Sequence, residues 1–192
     1  FLSWSRIAPT WNWTTGTKAP SMSGWKTRMG VELPDKCVFC VAPHTSNWDL
    51  FLCELLYFAA GGKHRASFFI KKEWFFFPLG YLFRWMGGIA VDRSKKTSLV
   101  SQIIAEFDSH DFFQLAVTPE ATRQANPNWK RGFYYIAKGA NVPILLVYLD
   151  YPKKEMGVEQ IFEMTDNEDA DIQTIKDYFS QFKGLYPDKF SI

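Results

Sequence analysis

Apolar residues fall into short runs separated by stretches in which they recur at three- and four-residue spacing. Short runs bounded by turn residues read as buried strands, and the wider spacing reads as amphipathic helix. Strands are therefore expected at 36–42, 66–70, 88–91, 112–117 and 143–149. Helices are expected at 47–60, stopped by Gly61-Gly62, at 97–108, at 133–140 and near 169–183. The stretch 72–86 is apolar but interrupted by Pro78 and Gly80, which predicts two short helical pieces rather than one helix. Strands alternating with helices imply a single α/β domain, a mostly parallel sheet covered by helices on both faces. Residues 1–35 follow neither period, with Trp4, Trp11, Trp13 and Trp25 among Ser, Thr, Pro and Gly. They are expected to form an irregular lead-in lying on the domain or on lipid, with the domain proper at 36–192.

The aromatic share, 18% with 18 Phe and 8 Trp, exceeds the needs of one small core. It points to an apolar ligand, a membrane surface or both. Net charge is only +2 but unevenly spread. Lys63 to Arg131 holds 11 basic and 6 acidic residues, while Asp150 to Lys189 holds 5 basic and 10 acidic. The basic middle suits anionic substrates or lipid headgroups, and the modest total argues against a nucleic-acid partner. Three cysteines argue against a disulfide scaffold and favour a reducing compartment. Cys37-x-x-Cys40 lies inside an apolar strand-type run with no second Cys or His pair at zinc spacing, so no metal is expected. The opening residues lack a signal-peptide pattern, and no stretch reaches the roughly 18–20 apolar residues that span a bilayer. The expectation is a cytoplasmic protein, peripheral on the cytoplasmic membrane; whether residues precede Phe1 stays open.

Just after the first strand-like run stands His44-Thr45-Ser46-Asn47-Trp48-Asp49. A strand followed by a helix places His44 at the strand's end and Asp49 in the helix's first turn. There the carboxylate can accept Nδ1–H, leaving Nε2 free to take a proton from an alcohol. The same residues also read as a capping box, Ser46 at N-cap and Asp49 at N3. The two readings are compatible. Asp166-Asn167-Glu168-Asp169-Ala170-Asp171 lacks the Gly and Glu of a calcium loop and reads instead as the acidic start of the last helix.

Further polar segments follow strand-like runs. Gly87-Gly88-Ile89-Ala90-Val91-Asp92-Arg93 would present a guanidinium suited to phosphate, or else a polar turn before a helix. Thr118-Pro119-Glu120-Ala121-Thr122-Arg123 reads as a helix start, Thr118 at N-cap and Pro119 at N1. Alternatively that helix N-terminus forms an anion site with Thr122 and Arg123, Glu120 accepting from a substrate hydroxyl or holding an arginine. Trp129-Lys130-Arg131-Gly132 adds cations nearby.

The ordered set His44-x4-Asp49, Gly88 to Arg93, Thr118 to Arg123, then Val142-Pro143-Ile144-Leu145-Leu146-Val147 resembles the glycerolphosphate acyltransferase superfamily, and within it the bacterial lysophosphatidic acid acyltransferases. The four blocks span about residues 37 to 150. Lys71 with Pro78 and Gly80, and Trp129-Lys130-x-Gly132, fit between and after them. The resemblance implies the fold of those acyltransferases and roles for single residues. His44 (of the H-x4-D motif) would be the general base and Asp49 its orienting partner. Arg93 would hold the acceptor's phosphate. Glu120, Thr122 and Arg123 would bind the glycerol phosphate portion, with Lys71 and Lys130 as further cations. Val142-Pro143 would end near the acyl-chain or acceptor site. Ala121 stands where the family usually has Gly, and Thr118 where an aromatic residue is common.

The implied reaction moves a fatty acyl group from acyl-CoA or acyl-carrier protein to the hydroxyl of 1-acyl-sn-glycerol 3-phosphate, in phospholipid biosynthesis, with no resident cofactor. No G-x-S-x-G elbow is present, which favours direct transfer over an acyl-enzyme. Phe68-Phe69-Ile70 and the rings of 74–85 would house a fatty chain, and Lys71, Lys72 and Arg84 among them suit anionic lipid. Another lipid acceptor, such as a lyso-ornithine lipid, remains open. So does a non-catalytic lipid-binding domain of the same fold.

Overall fold

A computed structural model describes residues 24–59, 66–91 and 99–192. In chain order the elements are β1 (Lys26–Met29), β2 (Lys36–Ala42), α1 (Trp48–Ala59), β3 (Ser67–Lys71), α2 (Leu79–Trp85), β4 (Gly88–Val91), α3 (Leu99–Ser109), β5 (Phe113–Val117), α4 (Gly132–Ala140), β6 (Ile144–Asp150), β7 (Glu155–Phe162) and α5 (Glu168–Phe179). They build one seven-stranded sheet of order β1-β7-β6-β2-β5-β3-β4. Every pairing is parallel except β6 with β7.

The central strands are apolar without interruption because both their faces are buried. Successive side chains of β2 alternate between two cores. Val38, Cys40 and Ala42 join the larger one, between the sheet and α3, α4 and α5. Cys37, Phe39 and Val41 join the smaller one under α1. Ile144, Leu146 and Tyr148 of β6 share the first face, Leu145, Val147 and Leu149 the second. This alternation separates the C-x-x-C pair: the two buried thiols point to opposite sides of the sheet. The crossovers β2–α1–β3 and β3–α2–β4 step in the same direction across the sheet. The right-handed rule for parallel crossovers therefore puts α1 and α2 on one face.

The five expected strands and the helical segments before the last form within one or two residues of their expected bounds, and 72–86 gives a 3₁₀ turn (Lys72–Trp74) followed by α2. Four expectations are corrected. Within the lead-in, Lys26–Met29 is an edge strand pairing in parallel with β7; residues 1–23 lie outside the described residues. Glu155–Phe162, where no element was expected, is β7; its buried carboxylate Glu155 is satisfied by Tyr148 Oη at 2.7 Å and Arg28 Nε at 2.9 Å. The last helix ends at Phe179. No helix begins at Thr118: residues 118–131 form a turn and loop, with Ala121 N donating to Thr118 O and Lys130 N donating to Pro119 O. The acidic run 166–171 is the start of α5, as expected, with Asn167 Oδ1 accepting from Ala170 N.

Candidate active site

Parallel strands β5, β2 and β6 lie side by side, so the loops after their C-terminal ends gather at one edge of the sheet, where open α/β sheets place ligands. The loop after β2 carries His44, the loop after β5 carries Glu120, and the turn after β6 carries Tyr151.

His44 stands two residues beyond β2 with 18% of its side chain exposed, and its Nδ1 lies 3.2 Å from Asp49 Oδ2. Asp49 is in the first turn of α1 and is itself 1% exposed. Its Oδ2 also accepts from Thr45 N at 2.9 Å and Ser46 N at 2.8 Å. The bond from Ser46 N is half of the anticipated capping box; Ser46 Oγ completes the cap through Trp48 N at 3.1 Å instead of the N3 amide. The cap and the dyad are thus one structure. Two backbone amides fix the oxygen that faces the imidazole and hold Nδ1 as the donor; among the described residues Nε2 makes no hydrogen bond.

Glu120 approaches from the other side. It is buried, and His44 N donates to its Oε1 at 2.9 Å and Oε2 at 3.2 Å. Burial pushes its carboxyl up to about 8; the His44 amide acts against that shift and the nearby Asp49 charge adds to it. His44 is therefore gripped by two acids, one through its ring and one through its main chain. Ala121, next in the turn, has φ of 55°, a left-handed conformation natural to Gly, which explains why Gly is usual at that position in the resembled motif.

Arg123 is exposed, and its Nη1 donates to Asn47 Oδ1 at 2.5 Å, which ties the third block to the first. Thr122 is half-buried and accepts from Gln124 N at 3.3 Å. Lys130 is exposed on the same loop, joined by its main chain to Pro119. Thus His44, Asp49, Glu120, Thr122 and Arg123 are brought together, although without the helix N-terminus anticipated at Thr118. Lys71 closes β3 at the same edge of the sheet, and its side chain lies outside the described residues, as does Arg93 entirely.

Val142-Pro143 is not at this site. Pro143 O accepts from Val38 N, and Ile144 pairs with Val38, so this block opens β6 at the opposite end of the sheet. Six positions of extended chain, four of them in β2, separate Val38 from His44, roughly 20 Å. It is the far end of β6 that reaches the dyad: Tyr151 Oη donates to Asp49 Oδ1 at 2.5 Å. Neither Tyr151 nor Asn47 was singled out from sequence. The available signal was positional, a Tyr directly after an uninterrupted apolar strand and an Asn inside the H-x4-D motif.

Beside the dyad, under α1, is a cavity with about 580 Å³ of empty space, part of it open to solvent. Val41, Leu50, Cys53, Tyr57, Phe68 and Met156 are among its lining residues. Val41 precedes His44 by three residues and Leu50 follows Asp49, so its wall adjoins the loop of the dyad. The rings of 74–85 build a different feature. Trp74, Phe76, Phe77, Tyr81, Leu82 and Trp85 are exposed, Phe77 at 82%. On α1, Trp48, Phe51, Leu55 and Phe58 form a second exposed stripe at helical spacing.

No curated protein matches the chain. Among solved structures, the chain is similar to the 1-acyl-sn-glycerophosphate (LPA) acyltransferase PlsC from Thermotoga maritima, with a TM-score of 0.57 and 18% identity, covering 81% of this chain and 69% of that one. That likeness is one of fold. The family model described as Acyltransferase matches residues 28–150, more than half of the chain and the span that holds His44, Asp49 and Glu120. The chain belongs to the Acyltransferase family.

Proposed function

We propose that this acyltransferase moves a fatty acyl group from a thioester donor, acyl-CoA or acyl-carrier protein, to the free hydroxyl of a lysophospholipid, with 1-acyl-sn-glycerol 3-phosphate as the leading acceptor. The observation that carries this reading is the His44 Nδ1 to Asp49 Oδ2 contact of 3.2 Å, with that same oxygen fixed by two backbone amides. Nε2 takes the proton of the acceptor hydroxyl as its oxygen attacks the thioester carbonyl. The carbon–sulfur bond then breaks, and the imidazolium returns the proton to the departing thiolate. Asp49 stabilises the imidazolium between these steps. Arg123, Thr122 and Lys130, together with Arg93 and Lys71, supply the cationic and polar side chains for the acceptor's phosphate.

The cavity under α1 supports a site for the donor's or acceptor's chain. Its named walls are apolar, as a site for an alkyl chain requires. The exposed stripes of α1 and of 74–85 support a seat on a lipid surface. Arg84, 5.9 Å above the Phe75 ring, brings a cation into that apolar patch, as an interfacial face on anionic lipid requires. Among the described residues no helix is long and apolar enough to cross a membrane.

Incubation with palmitoyl-CoA and a panel of lysophospholipids and lyso-ornithine lipid tests the reading. Transfer to lysophosphatidate ahead of the others is expected. Transfer only to another acceptor overturns the choice of substrate, and no transfer to any overturns the reaction.

A further inference from the structure

We propose that Tyr151 is a positioning residue of the acyl-transfer site, its phenol holding Asp49 in the rotation that keeps Oδ2 on the imidazole of His44. This rests on the reading of His44 as the general base. Asp49 divides its contacts between its two oxygens. Oδ2 takes Thr45 N, Ser46 N and His44 Nδ1, and the contact found on Oδ1 is Tyr151 Oη at 2.5 Å. Two amides from one side fix where Oδ2 sits but leave the carboxylate plane free to tilt about it. A donor on Oδ1, arriving from a different element 102 residues away in sequence, removes that freedom.

Tyr151 is built to stay in place. Its N–H donates to Lys183 O at 3.0 Å, in the segment after α5, and its ring packs edge-on against Trp25 with centroids 5.0 Å apart. The same C-terminal segment reaches the dyad loop, where Tyr186 N donates to Thr45 Oγ1 at 3.2 Å. Burial and the bond to Asp49 both raise the phenol's pKa, so it remains a donor throughout the working range of a histidine base. A phenol that donates to a carboxylate also withdraws part of its charge from the imidazolium on the other oxygen. Tyr151 thus bears on the charge Asp49 presents to the ring as well as on its alignment. The other titratable groups facing the pair are Cys53 of α1, Glu120 after β5 and Tyr186 after α5, with Arg123 one contact further on Asn47.

The test is the pH dependence of acyl transfer from palmitoyl-CoA to lysophosphatidate, measured for the wild type, Tyr151→Phe, His44→Ala and a protein carrying 3-fluorotyrosine at position 151. Tyr151→Phe keeps the ring, and its kcat is expected to fall about ten-fold with KM unchanged, the size of one hydrogen bond to a charged group. The acid limb of its kcat profile is expected to move to higher pH, because Asp49 then favours the imidazolium more. The fluorinated phenol is a stronger donor and is expected to move that limb to lower pH, with the fold untouched. Glu120 titrates in all of these proteins and cancels in the comparison. If His44→Ala is inactive while both Tyr151 replacements keep the wild-type kcat and limb, the role of Tyr151 is overturned and the base stands. If His44→Ala keeps full activity, or the wild type transfers nothing, both are overturned.

Discussion

At the scale of single residues, the site is organised around one imidazole held at two points. Asp49 fixes the ring and Glu120 fixes the main chain. Glu120 gives a stability signature. Its carboxyl is raised from the usual range to about 8 by burial. A folded-state pKa above the unfolded one means the folded protein holds this proton more tightly. The stabilising contribution is therefore complete below about pH 4.5 and is lost as pH climbs through 8. Glu120→Gln cannot titrate. Its melting temperature relative to wild type is expected to rise by about 3 °C or more from pH 5 to pH 8 and then level off. Differential scanning fluorimetry across that range reads the slope, and a difference that does not change with pH contradicts the assignment. The dyad itself was legible in the sequence, because spacing on a strand–helix junction dictates where a carboxylate five positions on can point. The main-chain bond to Glu120 was not legible, since it joins residues 76 positions apart through a turn. Thr118-Pro119-Glu120 has the chemistry of a helix start. The chain turns instead, with Ala121 at positive φ and Lys130 N on Pro119 O closing the loop.

At the scale of elements, α1 does two jobs from one short stretch. Its first turn carries Asp49, and its inner face, through Leu50, Cys53 and Tyr57, roofs the apolar cavity. A larger side chain at Cys53 fills that space while leaving the dyad in place. Cys53→Phe is expected to lower turnover of palmitoyl-CoA about ten-fold relative to octanoyl-CoA, since each methylene denied burial costs roughly 0.8 kcal/mol. Competition between the two thioesters measures this ratio; an unchanged ratio removes the cavity from the chain's path. Strand positions were read correctly where both faces are buried, because an apolar run leaves little alternative. Strands β1 and β7 escaped for the opposite reason. Lys26-Thr27-Arg28-Met29 is an edge strand with polar positions, and β7 opens with a buried Glu whose partners, Arg28 and Tyr148, come from other strands. Parallel register also overrides proximity in the motif order. Val142-Pro143 opens the strand whose other end, at Tyr151, meets the site.

At the scale of the whole molecule, the two helices on one face of the sheet both carry exposed rings, and one of them begins at the dyad. Trp48 is 69% exposed and stands next to Asp49. A surface of this kind fits a lipid-borne substrate delivered from a bilayer. Vesicles of phosphatidylcholine with phosphatidylglycerol are expected to sediment the protein, and Phe77→Ser with Tyr81→Ser to weaken that binding at least ten-fold, each large ring contributing roughly 1.5–3 kcal/mol when buried. Equal sedimentation of the variant rules out this face. Composition announced the aromatic excess, but only the fold sorts rings of the core, such as Phe107 and Phe133, from those of the surface.

The most direct measurement is the steady-state rate of acyl transfer by His44→Ala, set against wild type under identical thioester and lysophospholipid concentrations. A general base typically contributes about 10²–10⁴-fold, so a loss of at least a hundred-fold in kcat with the fold intact is expected. A variant that retains activity within a few-fold of wild type contradicts the assignment of His44 as the base.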